Sequence, residues 1–376
     1  MFLRRKLWVA VVVAAFLFLI LLSQIIQERC FLLIYLVPSN KGVSPTRKET
    51  VVEPTVPHAK PPPPSTIETK KPLEDSKYLR SCGCSKSCIS DPGGSDWFGK
   101  HYDPKQQPIL QDNMKTFDQV TLKWWLGLQQ SGNDKSLNKV MSKMFQVISP
   151  PTGNFGPAPS RCRRCAVVGN SGNLWKSGYG KRIDTYDYVI RMNKAVTQGF
   201  EKDVGYRTTH HFLYPESAVD VKQGVSLVLL PFKLKDLEWI TSALSTGEVN
   251  MTYMKVKERV KADKDKVLVV NPEFFKYVHD NWTEHNGRYP STGMLAIIFA
   301  LHICDQVSVF GFGADQQGNW HHYWEKNLYA GAFRKTGVHN AEVEHNIIRR
   351  LDKEHKITLH PGYNQMTYQP ADVPTD

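Results

Sequence analysis

The sequence predicts an α/β fold: a mostly parallel sheet with helices on both faces. Three observations lead there. Short apolar runs recur at 165–169, 188–192, 211–214, 226–231, 267–271 and 307–311. Longer segments with helical periodicity separate or follow them, at 236–245, 273–282, 291–304 and 341–351. The short runs are continuously apolar rather than alternating, as strands covered on both faces are. Strands alternating with helices imply crossover units and hence parallel pairing. Two more helices are predicted before this core, at 121–129 and 137–148, and Pro150-Pro151 with the Gly/Pro-rich stretch to Ser160 closes that section. No internal repeat is apparent.

The N-terminal part is organised differently. Residues 1–6 read as a cytosolic tail carrying Arg4, Arg5 and Lys6, and residues 7–29 as a transmembrane signal-anchor. An apolar run of about 20 residues is the length a helix needs to cross a hydrocarbon core, and cations on its N-terminal side send the rest of the chain across the membrane. A cleaved signal peptide is the competing reading, but its apolar region is usually shorter and ends at a small-x-small site. Large residues follow Gln27 instead. A second apolar stretch, 31–37, leaves the membrane exit point open. Residues 30–76 include Pro61-Pro62-Pro63-Pro64 and few aromatics. Such a segment buries too little apolar surface to offset its ordering entropy, so it is expected to be a disordered, extended stem. Residues 77–362 form the globular domain, and residues 363–376 form a tail with no assigned role.

The formal charge of +12 raises the question of a nucleic-acid partner. The Lys and Arg residues are scattered among acids, with no basic stripe interleaved with aromatics, so no nucleic acid is expected. An anionic small substrate or a solvated surface explains the balance. Of the seven cysteines, Cys30 lies at the membrane boundary, where it is free, lipidated or bridged to a second copy in a homodimer. Cys82, Cys84, Cys88, Cys162, Cys165 and Cys304 have spacings that resemble zinc sites. In the oxidising lumen an even set reads better as three disulfides. The sequons Asn250-Met-Thr and Asn281-Trp-Thr fit the same compartment as N-glycosylation sites.

Several polar clusters follow predicted strands. Cys165-Ala-Val-Val-Gly169-Asn170-Ser171-Gly172-Asn173 runs from a strand into a glycine-rich turn. Ligands of open α/β sheets bind beyond the carboxyl ends of strands, and Asn side chains offer both donors and acceptors. An ordinary strand-to-helix turn accounts for the same residues. The G-x-G-x-x-G fingerprint is absent, which argues against a nicotinamide cofactor. Asn193 follows a second strand and faces the same crevice, or simply caps it. Arg288-Tyr289-Pro290-Ser291-Thr292-Gly293 precedes an apolar helix, where Ser291 or Thr292 caps the helix or its N–H groups receive an anion. Gly311-Phe312-Gly313 ends another strand. Asn319-Trp320-His321-His322-Tyr323-Trp324 is dense in aromatics and imidazoles, and Thr336-Gly337-Val338-His339-Asn340 opens an amphipathic helix.

Together these segments resemble the sialylmotifs of the animal-type sialyltransferases. Residues 162–214 resemble the large motif, 288–311 the small motif, His321-His322-Tyr323-Trp324 the third motif, and His339-x4-Glu344 the very small motif. The resemblance covers roughly residues 82–351. The wording Cys162-Arg-Arg-Cys-Ala-Val-Val-Gly-Asn-Ser-Gly is similar to the β-galactoside α-2,3-sialyltransferases of types 1 and 2, which act on Galβ1-3GalNAc. Asp96-Trp97-Phe98 and Phe212-x-Tyr-Pro-Glu-Ser217 lean toward type 2.

The resemblance implies a GT-A-like variant of the Rossmann-type sheet and a Golgi enzyme. It implies inverting transfer of sialic acid from CMP-sialic acid to a galactose 3-hydroxyl, without a metal. The acceptors would be Galβ1-3GalNAc glycans on O-glycoproteins and gangliosides. His339 would be the general base and His322 would stabilise the departing phosphate. Asn170, Asn193, Ser291, Gly293 and Gly313 would line the donor nucleotide; Gln129, Tyr253, Tyr289 and Trp320 would hold the acceptor. The implied disulfides are Cys165–Cys304, Cys84–Cys162 and Cys82–Cys88. Asp263-Lys264-Asp265 superficially matches an Asp-x-Asp metal motif, but its charged surroundings read as a solvated turn. Asn340 stands where relatives often have Asp, and Trp175 stands at a position expected to be basic or small. The tail after Lys356 extends past the family's usual end. Two rival readings remain: a sialyltransferase of other acceptor or linkage, and a catalytically silent luminal glycan-binding protein.

Overall fold

A computed structural model describes residues 89, 95–114, 117–129, 137–149, 162–314, 321–326 and 337–362. The predicted anchor and stem, Cys82, Cys84, Cys88, Trp320 and the tail 363–376 lie outside the described residues. Among the described residues no helix is long and apolar enough to cross a membrane.

The first helices are α1 (Asp96–His101), α2 (Gln119–Gly127) and α3 (Leu137–Phe145). Strand β1 (Arg164–Val168) opens the core, followed by α4 (Gly180–Ile183), β2 (Tyr188–Met192), α5 (Glu201–Val204), β3 (His210–Leu213) and β4 (Ser226–Leu229). Then come α6 (Leu234–Ala243), β5 (Val267–Val269), α7 (Pro272–Tyr277) and a π-helical turn (Val278–Trp282). The chain closes with α8 (Thr292–Ile303), β6 (Gln306–Phe310), α9 (Ala341–Lys353) and β7 (Thr358–His360).

The seven strands form one sheet in the order β5-β4-β3-β2-β1-β6-β7, and every pairing is parallel. A lone antiparallel bridge, Ile109 to Val270, extends the β5 edge. Successive strand residues face opposite ways. Cys165 and Val167 of β1 join Ile190, Phe212 and Val309 in a layer with α7, α8 and α9. Leu227, Leu229, Val267 and Val269 point the other way, onto α2, α3 and α6, while Ala166, Val168 and Val189 meet Ile183 and Val204 of α4 and α5. Helices therefore cover both faces, which is why the strands are apolar throughout.

Helix α8 is apolar on every side because it is buried on every side: Met294 to Ile303 all lie in the core. Its C-terminus is tied to the central strand by the Cys165–Cys304 disulfide, both cysteines being fully buried. The predicted helix 273–282 differs from the structure, where α7 stops at Tyr277 and a π-turn carries His279 and Trp282 inward. The segment after Lys356, which extends past the family's usual end, contributes β7, which pairs with β6 through Val309 and Leu359.

Candidate active site

The strand order reverses at β1, which lies between β2 and β6. Ligand crevices of doubly wound sheets open at such switch points, beyond the carboxyl ends of the strands. A cleft of about 250 Å³ lies there, lined by Gly169, Asn170, Asn193, Ser291, Gly293, Gly313, His322 and His339, among others.

The loops after β1 and β6 are knitted together. Gly169 N–H donates to the Phe310 carbonyl (2.8 Å) and Ser171 N–H to Gly311 (3.1 Å). Ser171 Oγ donates to the Gly313 carbonyl at 2.8 Å. A Cβ at Gly169 would run into the Gly311 carbonyl oxygen, so only glycine allows this approach. Gly313 has φ +101, a region that other residues avoid. The histidine-aromatic run is pinned to the same loop: Gly172 N–H donates to the His321 carbonyl (2.8 Å) and Tyr323 N–H to that of Asn170 (3.1 Å).

His322 stacks on Trp324, with ring centroids 4.5 Å apart and planes 5° apart. Its Nδ1 lies 3.0 Å from Glu325 Oε1. A carboxylate only accepts, so Nδ1 carries the proton in this contact. Asn170 donates Nδ2–H to the Met192 carbonyl at 3.1 Å. The Oδ1 atoms of Asn170 and Asn193 are buried at the cleft without a hydrogen-bond partner in the protein, as is Nδ1 of His345. Buried polar atoms left this way are costly, and a polar ligand with donor groups satisfies them. Asn193 reaches its place through a left-handed backbone (φ 58), which Asn tolerates.

Ser291 caps α8, accepting Met294 N–H at 3.1 Å. Its own N–H donates to Glu344 Oε1 at 2.8 Å, and its hydroxyl donates to Glu344 Oε2. Burial pushes the Glu344 carboxyl up to about 7, against the lowering pull of both Ser291 contacts. Glu344 belongs to α9, whose cap is Asn340, accepting Val343 N–H at 3.2 Å. Asn in place of Asp thus keeps the capping function.

His339 precedes that cap. Gly287 bridges to His339, and Arg288 N–H donates to the Val338 carbonyl at 2.8 Å. His339 Nδ1 lies 2.8 Å from the Tyr289 carbonyl oxygen. A carbonyl accepts only, so Nδ1 is the protonated nitrogen and Nε2 the basic one. Burial holds the ring's pKa below the ordinary histidine value, with the Tyr289 contact working the other way.

Of the residues predicted to hold the acceptor, Tyr289 lies against His339 and Gln129 reaches Tyr289. The rings of Tyr289 and His339 are 5.0 Å apart, and Gln129 Nε2–H donates to Tyr289 Oη at 3.2 Å. Tyr253 is exposed and lies 4.9 Å from Lys233 Nζ, measured at its ring centroid.

Sequence reasoning missed what supports this group. Lys233 is buried and donates to Gln129 Oε1 (3.0 Å) and Glu216 Oε1 (3.0 Å), and pairs with Asp236 Oδ1 at 2.7 Å. Burial raises the Asp236 carboxyl to about 7, and Lys233 pulls it back. In the sequence, Lys233 and Asp236 look like an ordinary pair on an exposed helix start, and Glu216 lies in another segment. His345 was also missed; its position next to Glu344 of the very small motif was the available signal.

Two predicted features lie elsewhere. Asp263 and Asp265 form an exposed turn before β5 in which Asp263 Oδ1 accepts Asp265 N–H at 3.3 Å, as expected for a solvated turn. Asn250 and Asn281, the sequon asparagines, are both exposed.

This parallel sheet, with its cleft at the switch point and two histidines on opposing loops, is the architecture of a nucleotide-sugar-type transferase. The solved structure described as a mammalian sialyltransferase matches with a TM-score of 0.68 and 46% identity, covering 76% of this chain and all of that one. Its complex with Gal-beta-1-3GalNAc-ortho-nitrophenol matches with a TM-score of 0.68 and 45% identity, over 75% of this chain and 100% of that one. The glycosyltransferase family 29 (sialyltransferase) domain matches residues 109–356. The chain belongs to that family. Similar curated proteins include the CMP-N-acetylneuraminate-beta-galactosamide-alpha-2,3-sialyltransferase 2 of Rattus norvegicus, 55% identical over 75% of this chain and 81% of that one. The corresponding sialyltransferase 1 of Gallus gallus is 49% identical over 75% and 83%.

Proposed function

We propose that this protein transfers sialic acid from CMP-sialic acid to the galactose 3-hydroxyl of Galβ1-3GalNAc-terminated glycans, with inversion and with His339 as general base. The observation that carries the reading is the Tyr289 carbonyl accepting from His339 Nδ1, which leaves Nε2 as the basic nitrogen in a cleft lined by unpartnered Asn oxygens. The acceptor hydroxyl attacks the anomeric carbon, its proton passes to Nε2, and the bond from that carbon to the CMP phosphate oxygen breaks with the electron pair leaving on CMP. Asn170, Asn193 and His345 suit a nucleotide with donor groups. Donor N–H groups at the leaving phosphate take the role a metal plays in other transferases, and His322, which lines the cleft, supplies one of them. Gln129, Tyr253, Tyr289 and Trp320 hold the acceptor. Glycans on both O-glycoproteins and gangliosides carry the required terminus.

Residues 7–29 act as a single-pass anchor and residues 30–76 as a stem, with the catalytic domain in the Golgi lumen. The apolar run after Arg4-Arg5-Lys6 and the proline content support this. The disulfides Cys84–Cys162 and Cys82–Cys88 and glycans at Asn250 and Asn281 fit the same compartment.

The test uses the full chain in detergent with CMP-sialic acid, a Galβ1-3GalNAc acceptor and EDTA. Product with an α-2,3 linkage is expected with or without EDTA. No transfer to this acceptor sinks the assignment, and transfer abolished by EDTA sinks the metal-free mechanism. Normal turnover by His339→Ala rules out His339 as the base.

A further inference from the structure

Outside the cleft, the chain between α7 and Arg288 gathers two histidines and an aspartate. The π-turn presents His279 and Asp280, and the chain then folds back through Glu284 (φ 47) and His285 (φ 62), with His285 N–H donating to the His279 carbonyl at 3.0 Å. One donor atom from each of His279, Asp280 and His285 lies within 4.8 Å of the others.

The proton arrangement is informative. His279 Nε2 is 3.3 Å from the Gly287 carbonyl, which can only accept, so Nε2 carries a hydrogen. His279 Nδ1 is 3.3 Å from Asp280 Oδ1, and His285 Nδ1 is 3.4 Å from the same oxygen. In the neutral His279 ring, an Nδ1 lone pair therefore faces a carboxylate lone pair. A proton or a cation between the two atoms makes that contact favourable.

The two separations from Asp280 Oδ1 suit a cation. Four ligands at roughly 2.0–2.1 Å around tetrahedral zinc are separated from one another by about 3.3–3.4 Å. Lys276 Nζ donates to Asp280 Oδ2 and leaves Oδ1 turned to the histidines. The Nε2–H contact with Gly287 is the kind of outer-shell bond that fixes the tautomer and orientation of a ligating histidine. Trp124 packs 5.1 Å from the His279 ring, and His285 lies 5.1 Å away on another side. The side chains of His279, Asp280 and His285 are 7%, 29% and 68% exposed, so the site is anchored inside and open outside to a water as fourth ligand.

We propose that His279 Nδ1, Asp280 Oδ1 and His285 Nδ1 form a binding site for one divalent transition-metal ion of the zinc class. Two imidazoles with one carboxylate favour zinc, cobalt, nickel or copper over magnesium or calcium, which take all-oxygen sites. The ion lies off the reaction path. It braces the turn that continues towards Gly287, which bridges to His339, without being required for transfer, so chelation leaves activity in place.

The experiment titrates cobalt(II) into the chelator-treated full chain, following the visible absorption of the bound ion, and then displaces it with zinc. The readout is binding, so it is independent of whether the chain transfers sialic acid. His285 is exposed, so His285→Ala keeps the fold, which a melting curve checks. Asp280→Asn is the second variant, and His355→Ala, at another exposed histidine, is the control. The native chain is expected to bind one more ion than either site variant, or to bind it at least about tenfold more tightly, with His355→Ala like native. Equal stoichiometry and affinity in native, His285→Ala and Asp280→Asn overturn the proposal. So does the absence of saturable binding, which would assign the cluster a proton instead.

Discussion

Lys233→Met tests whether the buried charge cluster supports the acceptor side of the site. The side chains of Lys233, Glu216 and Asp236 are 5%, 5% and 0% exposed. Removing the cation leaves two carboxylates in a dry pocket, and breaking a buried pair in this way costs about 3–5 kcal/mol. Asp236, already raised to about 7 by burial, takes up a proton rather than staying charged, which places the loss near the lower end, at about 3 kcal/mol. At roughly 2–4 °C per kcal/mol for a large domain, Tm falls by about 6–12 °C. Gln129 also loses the donor to its Oε1. A hydrogen bond from a charged group is worth about 1.5–3 kcal/mol, so acceptor KM rises roughly tenfold or more while donor KM stays put. The assay pairs thermal melts at pH 7.5 and pH 5.5 with initial rates at varied donor and acceptor. Destabilisation should shrink at the lower pH, where the orphaned Asp236 carboxyl is neutral. The triple variant Lys233→Met, Asp236→Leu, Glu216→Gln should recover Tm but not acceptor KM. A single variant that melts within about 2 °C of native with unchanged acceptor KM refutes the reasoning.

Other outcomes follow from the same structure. Because burial lowers the His339 pKa, the acid limb of kcat/KM should have its midpoint below 6.5, and a midpoint clearly above that value removes His339 as the titrating base. Glu344 has its folded pKa raised from 4.5 to about 7, so the folded chain holds a proton that the unfolded chain has lost. Its stabilising effect is full below pH 4.5 and is lost as pH rises through about 7, amounting to about 3 kcal/mol. Glu344→Gln should flatten the fall of Tm between pH 4.5 and 7, leaving the Asp236 share, and an unchanged slope would show the assignment to be wrong. Cys165→Ala with Cys304→Ala opens a loop closed across 139 residues. It should cost up to about 5 kcal/mol on the chain-entropy account, read as a lower denaturant midpoint; a native midpoint would mean the bond contributes nothing. Gly313→Ala, at φ +101 and against the His345 ring, should weaken donor binding, measured as a higher KM for CMP-sialic acid with acceptor KM unchanged.

Much of the fold was legible in the sequence. All six predicted strands appear, within about two residues of their predicted bounds, as expected when boundaries are read from local pattern. They were legible because parallel strands are covered on both faces and read as unbroken apolar runs. β7 was not, because three residues carry no periodicity and Thr358–His360 becomes a strand only where the β6 edge recruits it. The short helices α4 and α5 escaped for the same reason. Of the predicted site residues, Asn170, Asn193, Ser291, Gly293, Gly313, His322 and His339 do line one cleft. Gln129, Tyr253 and Tyr289 stand in an adjoining cluster rather than in its lining.

The sequence by itself determined the order of strands and helices, the turns that need glycine, and the residue types at the strand ends. These depend on neighbours in the chain: periodicity, backbone freedom and capping act over a few residues. The tertiary structure alone decided which nitrogen of His339 is basic, since that rests on the Tyr289 carbonyl, 50 residues away. It alone gave Glu344 its raised pKa and placed Lys233 among Gln129, Glu216 and Asp236, groups that are distant in sequence. Charge and protonation depend on burial and on through-space partners, and both come into being only when the sheet closes around them.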